Sequence, residues 1–375
     1  MSLWKVPVDR FQGCLVGALI GDCLGAPFEG MAFSGGIPQE RIMLVISPER
    51  LKTKKNWKGT KQFTDDTAML RSVCGSLIQC KGFDSVDMAT RFTKEYFRDM
   101  NRGYGGGVLQ VFNTWANSGI NYKNVFTPSV NQFDGKGSYG NGGAMRVAPV
   151  ALLASSSDDC VSMARESARL THSHRSGYNG AVLQSLAVYK SLNSEGSIKW
   201  QEFLRELIED MVKIECITDD AATTAECEIY GDTELSDIDK LYEWTRSDAF
   251  SYTKHLRTVD RLLTQHYKNK STEDTDIDDT EQVINHIGRD ITAAQAVPAA
   301  IYCFLRNLDA SVEETLYYTL SLGGDTDTVA TMCMAMVGAH RGYVALPEVW
   351  TNVCESHEEA KEFAEKLYDM RTAEK

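Results

Sequence analysis

The chain has 375 residues, 43% of them hydrophobic, with 39 basic against 52 acidic side chains and a net charge of −13. This composition excludes a disordered or fibrous protein, and it excludes a nucleic-acid binder that grips phosphates through a basic face; an anionic ligand needs a local device. No stretch reaches the roughly eighteen consecutive apolar residues of a membrane span, and MSLWKVPVDRFQG lacks a charged-then-apolar leader, so an intracellular chain without membrane or direct DNA contact is expected. Ten scattered cysteines without a CxxC pair read as buried thiols in a reducing compartment, not as disulfides or a zinc site.

In chain order, the first helix leads into Gly21-Asp22-Cys23-Leu24-Gly25-Ala26-Pro27-Phe28-Glu29. Gly25, Pro27 and Gly30 predict a bent segment from which the Glu29 carboxylate can swing over a pocket; a surface glutamate beside a turn is the plainer alternative. Apolar residues recur at helical spacing over 66–80, 85–100, 158–171, 177–192, 200–214, 292–306, 311–322 and 326–341. In the segment 85–100, Ser85 is placed to cap, and Val86, Ala89, Phe92 and Tyr96 share one face. Several segments are apolar nearly all round, and hairpin patterns are nearly absent. The expectation is an all-α protein, a compact single-domain helical bundle over residues 1–375. Residues 31–60, with glycines, prolines and lysines, and the acidic stretch 215–282 are expected to be surface excursions. Asp274, Asp276 and Asp278 imitate the start of a calcium loop, but Asp279 stands where glycine is required and Asn285 where glutamate is, so a calcium hand is rejected.

The strongest chemical signal is a pair of acidic tetrads, Thr64-Asp65-Asp66-Thr67 and Asp325-Thr326-Asp327-Thr328, the second preceded by Gly323-Gly324. Each opens an apolar helical run, and helix capping alone would explain one of them. Adjacent aspartates exceed that need, because one carboxylate satisfies the cap and the next must point elsewhere. If the tetrads converge, like charges about 4 Å apart repel by roughly 4 kcal/mol at an effective dielectric near 20, so protons or cations must neutralise them. All-oxygen donors without histidine or thiolate favour a hard divalent ion, Mg²⁺ or Mn²⁺, and two such ions would use all the oxygen-bearing side chains.

Two glycine-rich loops follow, Asn101-Arg102-Gly103-Tyr104-Gly105-Gly106-Gly107 and the stretch from Phe133 to Gly143. Bare backbone there can approach a ligand, and successive amides can form a concavity for phosphate, although flexible turns use the same residues. Neither loop fits a dinucleotide or nucleoside-triphosphate fingerprint. Phe133 and Tyr139 could hold a flat base between them, which suggests a nucleotide diphosphate, and His172 could bond a sugar hydroxyl.

The succession GDCLGAPFE, TDDT, GYGGG, GKGSYGNGGAMR, LTH and SLGGDTDT resembles the ADP-ribosylhydrolase family along nearly the whole chain. It looks most like the branch that releases ADP-ribose from serine and also trims poly(ADP-ribose) and O-acetyl-ADP-ribose. The resemblance implies an all-α fold with a binuclear magnesium centre. It implies Thr64, Asp65 and Asp66 as ligands of one ion, Asp325 and Thr328 of the other, Asp327 as the bridge and Glu29 as a mobile flap at the metals. It further implies Gly103 and Gly105 beside the substrate, Lys136, Gly137, Ser138, Tyr139, Gly140, Asn141 and Gly142 along the diphosphate, and Asp65 and His172 as substrate contacts. Phe133 and Tyr139 stack on adenine in this reading, and Ile291 lies at the adenosine. Regions 31–60 and 215–282 fit the family less well.

On this reading the partners are ADP-ribosylated proteins and poly(ADP-ribose), with ADP-ribose as product, and the transition state is oxocarbenium-like. Either Glu29 or Asp325 serves as general base; the sequence does not separate them. Arginine-linked ADP-ribose is the rival substrate, and a non-catalytic ADP-ribose-binding protein the rival class. A monomer of the cytoplasm and nucleus is expected, with the mitochondrial matrix a further address.

Overall fold

The computed structural model describes residues 6–31, 33–53, 60–216, 251–270 and 279–373. Among these the backbone is helical, with isolated bridges from Lys61 to Cys354 and from Gly140 to Thr292 and no strand, so the all-α expectation holds. The framework helices are α1 (Val8–Gly25), α2 (Gln39–Ile46), α3 (Pro48–Thr53), α4 (Asp65–Cys80), α5 (Ser85–Arg98), α6 (Gly106–Ser118), α7 (Ser157–Arg169), α8 (Arg175–Asn193), α9 (Trp200–Cys216), α10 (Ser251–Lys270), α11 (Ala293–Arg306), α12 (Val312–Ser321), α13 (Thr326–Arg341) and α14 (His357–Ala373).

The centre is a seam between α1 and α13. Gly13, Gly17, Gly21 and Gly25 recur every fourth residue of α1 and form one stripe. A Cβ on any of them would strike α13 backbone: Gly338 O at 2.4 Å from position 13, Met334 O at 2.3 Å from 17, Ala330 O at 2.3 Å from 21 and Asp327 Cα at 2.6 Å from 25. Only glycine lets the two main chains lie this close. At the lower end Thr326 Oγ1 donates to Gly25 O at 3.0 Å, tying the second tetrad to the end of α1. Residues Val8–Phe28 are long and apolar enough to cross a bilayer, but 83% of the apolar eighteen-residue window within them is buried inside the protein, as befits a core helix.

The periodic segments form helices close to where the spacing put them. One cap differs: Asp84, not Ser85, precedes α5, its carboxylate accepting from the Asp87 amide at 2.8 Å. The two expected surface excursions need correcting where they are described. In the first, Ile37, Ile42, Ile46 and Leu51 are buried. In the second, Tyr252, Leu256, Val259 and Leu263 of α10 join the core, and buried Glu215 accepts from the amides of Tyr252 and Thr253 at 2.8 and 3.0 Å. The rejected calcium motif lies outside the described residues up to 278; Asp279 itself is a buried structural residue.

Candidate active site

The starts of α4 and α13 meet at the floor of a cleft. Asp22, fully buried on α1, accepts from the Thr64 amide at 2.9 and 3.1 Å and from the Thr67 amide at 3.0 Å. A neighbouring helix thus satisfies the open end of α4. Thr64 is the local cap, accepting from the Asp66 amide at 3.3 Å. Neither Asp65 nor Asp66 caps with its side chain, which corrects the expectation that one acid of the pair would be spent there. Across 262 positions of sequence, Thr328 Oγ1 donates to Asp66 Oδ1 at 3.1 Å, so the two tetrads converge. Asp325 makes no side-chain cap to α13; its Oδ2 instead accepts from Asn141 Nδ2 at 2.6 Å. Carboxylate oxygens of Glu29, Asp325 and Asp327 lie within 4.8 Å of one another.

This crowding leaves the acids poorly suited to be charged together. Burial, then the Asp327 and Asp22 charges, push Asp66 well above the ordinary carboxylate range. Burial and Asp22 push Asp65 up to about 8, and burial and Asp325 push Asp327 up to about 9. Glu29 is raised by burial, Asp325 and Asp22. Asp66 Oδ2 is buried and has no hydrogen-bond partner among the described residues. A buried carboxylate oxygen facing other carboxylates is a donor atom short of a counter-charge. The residues fit a hard divalent cation: every donor is oxygen, several are anionic, and Glu29, Asp325 and Asp327 are close enough to share one ion.

Above the floor is a cleft of about 300 Å³. Its wall holds Glu29, Asp65, Asp66, Asp325, Asp327 and Thr328 from the acidic set, Gly103, Gly105, Gly106 and Gly107 from the first glycine loop, and Phe133, Ser138, Gly140, Asn141 and Gly142 from the second. His172 and Ile291 complete the expected residues on it. Gly105 opens α6 without a side-chain cap, Gly105 to Gly107 line the cleft, and among the described residues a Cβ at Gly105 or Gly106 would meet only open space. Such a helix start suits an anion.

The second loop is narrower as a phosphate cradle than expected. The amides of Lys136, Gly137 and Asn141 bond Phe133 O, Gln132 O and Ile291 O at 3.2, 3.0 and 3.0 Å, and the Gly140 amide bonds Ser138 Oγ at 3.3 Å. Thr64, Lys136, Gly137 and Tyr139 are absent from the cleft wall among the described residues. Thr64 is the cap of α4, next to Asp65 on the floor. Lys136 is exposed, and Gly137, with φ 73°, packs so closely on Ser173 and His174 that a Cβ would lie 2.2 Å from Ser173 Oγ. Tyr139 is 53% exposed, with its ring edge-on to His174 at 5.9 Å, and Phe133, 54% exposed, holds a left-handed backbone that sets its ring beside Gly107.

Three residues that the sequence did not single out support this site. Asp22 braces α4. Arg146, buried on the cleft wall, donates to Thr171 Oγ1 at 2.7 Å, and Thr171 Oγ1 lies 2.8 Å from His172 Nδ1. One signal was present for Arg146, a cation within an apolar run just after the glycine loop.

A glycine-lined anion cleft over a carboxylate floor, on an all-α frame, matches a known class over residues 5–375: the chain belongs to the ADP-ribosylglycohydrolase family. It is similar to proteins named ADP-ribosylhydrolase ARH3 from Mus musculus and Homo sapiens, with 39% identity to each over 96% of this chain and 91% and 93% of theirs. An uncharacterized protein of Archaeoglobus fulgidus is 25% identical over 96% of this chain and 97% of its own. Among solved structures, one titled ADP-ribosylglycohydrolase-related protein complex shares the fold, with a TM-score of 0.63, 22% identity, and coverage of 97% of this chain and 98% of that one.

Proposed function

We propose that this chain hydrolyses the O-glycosidic bond between ADP-ribose and protein serine, acts also on poly(ADP-ribose) and O-acetyl-ADP-ribose, and depends on two Mg²⁺ ions. The observation that carries the proposal is the convergence of the tetrads, with Thr328 bonded to Asp66 beside the Glu29, Asp325 and Asp327 carboxylates. Similarity to the ARH3 proteins, at 39% identity over 96% of this chain, supports the activity. Thr64, Asp65, Asp66, Asp325, Asp327, Thr328 and Glu29 would hold the ions, which when bound supply positive charge against the oxygen that departs.

The chain's own residues do the rest. Helix-start amides at Gly105 to Gly107 receive the diphosphate, Phe133 and Tyr139 receive adenine, and neutral His172 bonds a ribose oxygen. Asn141 ties down Asp325, whereas Glu29 is exposed and raised, so Glu29 is the group that takes the proton of the attacking water. The proton that Glu29 takes is returned to the serine oxygen, which leaves as a hydroxyl, and the anomeric carbon passes through an oxocarbenium-like state.

Serine-linked and arginine-linked ADP-ribosyl peptides, each incubated with the protein in Mg²⁺ and in EDTA, test the reading. Release of ADP-ribose from the serine peptide in Mg²⁺ alone is expected. Equal rates in EDTA refute the metal dependence, preference for arginine refutes the linkage, and binding without turnover makes the protein a reader.

A further inference from the structure

His172 lines the cleft with a hydrogen-bonding sense fixed from behind. Arg146 is a donor only. Its guanidinium is buried over the Phe92 ring at 4.5 Å, and Nη2 donates to Ser167 O at 3.0 Å and to Thr171 Oγ1 at 2.7 Å. The Thr171 hydroxyl is fully buried and, among the described residues, its other neighbour within hydrogen-bond distance is His172 Nδ1 at 2.8 Å. It accepts from Arg146, so its hydrogen is left for Nδ1. An Nδ1 that accepts requires the ring hydrogen on Nε2. That nitrogen faces bare backbone: a Cβ would stand 3.0 Å from it at Gly142 and 3.4 Å at Gly140. Burial and the Arg146 charge push His172 down to about 3, so the ring stays neutral in ordinary buffers.

We infer that Arg146 and Thr171 are positioning residues that lock His172 in its Nε2–H form, so that it presents a hydrogen-bond donor to an acceptor oxygen of the ligand in the cleft. The ring thereby selects for a hydroxyl or phosphoryl oxygen offering a lone pair. The ligand half of this inference rests on the proposed ADP-ribose reading; the tautomer half does not.

Long-range ¹H–¹⁵N spectra of the full chain, assigned with His172→Asn, read the ring directly, and calorimetry with ADP-ribose reads its effect. The wild type should show protonated Nε2 and bare Nδ1. Thr171→Val should give a mixture of tautomers and raise the Kd for ADP-ribose about tenfold, the scale of one hydrogen bond, while Thr171→Ser should restore both. A wild-type ring protonated at Nδ1 overturns the inference, as does a folded Thr171→Val with an unchanged ring signature and Kd. Should Thr171→Val fail to fold, the wild-type and Thr171→Ser spectra still decide the tautomer. A wild type that has the expected ring signature yet does not bind ADP-ribose refutes the proposed function and leaves the lock in place.

Discussion

Two buried aspartates, Asp279 and Asp66, show what separates a finished structural group from one held in reserve. Asp279 accepts from Tyr302 Oη at 2.6 Å, from Tyr318 Oη, and from Arg306 Nε at 3.0 and 3.1 Å, with His266 Nδ1 3.1 Å away. Burial alone would raise this carboxyl, but His266, Arg306 and Tyr302 hold it well below the ordinary range. Asp66 has Thr328 on one oxygen, no partner among the described residues on the other, and carboxylates for neighbours. The first has its counter-charge built into the protein; the second leaves it to a ligand.

The sharpest way to break this contrast is to neutralise each member. Asp66→Asn with Asp327→Asn should lower ADP-ribose release by about a thousandfold, since several kcal/mol of charge stabilisation go with the cation. The same variant should melt no lower than the wild type in EDTA, because a repulsion has been removed. Retained turnover would remove the acidic floor from the chemistry. Asp279→Asn should do the reverse. Unfolding in urea should show a loss of about 3 kcal/mol or more, because Arg306 keeps a buried charge without its partner, while the rate per folded molecule stays the same.

The pair also differs in pH. With Asp65 at about 8 and Asp327 at about 9 in the folded chain, and near 3.9 when unfolded, the native state binds the extra protons. That stability is fully present below about pH 4 and is lost as the pH climbs through 8 to 9, so melting temperature in EDTA should fall across this window. Mg²⁺ should flatten the fall, because the cation takes over from the protons. Asp279, lowered instead, contributes stability above about pH 4 that disappears on acidification. A melting curve in EDTA that rises between pH 5 and 8 would contradict the assignment of the floor. The smallest expected effect belongs to the rim: Tyr139→Ala should weaken ADP-ribose binding by roughly 1 to 3 kcal/mol if its exposed ring closes over the base. Unchanged affinity in calorimetry would leave Phe133 as the aromatic wall.

The tetrads and glycine loops were legible because their residue types are too costly to repeat for packing alone. Asp22 was not, because a lone acid in an apolar run carries no spacing signal, and its partners lie on α4. The buried side of α10 was hidden by its polar composition; Tyr252, Leu256, Val259 and Leu263 keep helical spacing, but the acidic stretch around them masked it. The narrowing of the second loop could not be read either, since whether an amide faces a ligand or a neighbouring carbonyl depends on the path of the backbone.

The glycine seam between α1 and α13 gives the cleft an unusual vulnerability. Position 25 abuts Asp327 Cα, and position 21 adjoins both Asp22 and the Ala330 carbonyl, so the two walls of the acidic chamber are welded where no side chain intervenes. A single methyl at either place would act as a wedge, moving oxygens that must agree to within fractions of an ångström. Inactivating changes in such a protein need not touch a charged residue; the mildest substitution in the alphabet, glycine to alanine, can pry the chamber open from behind.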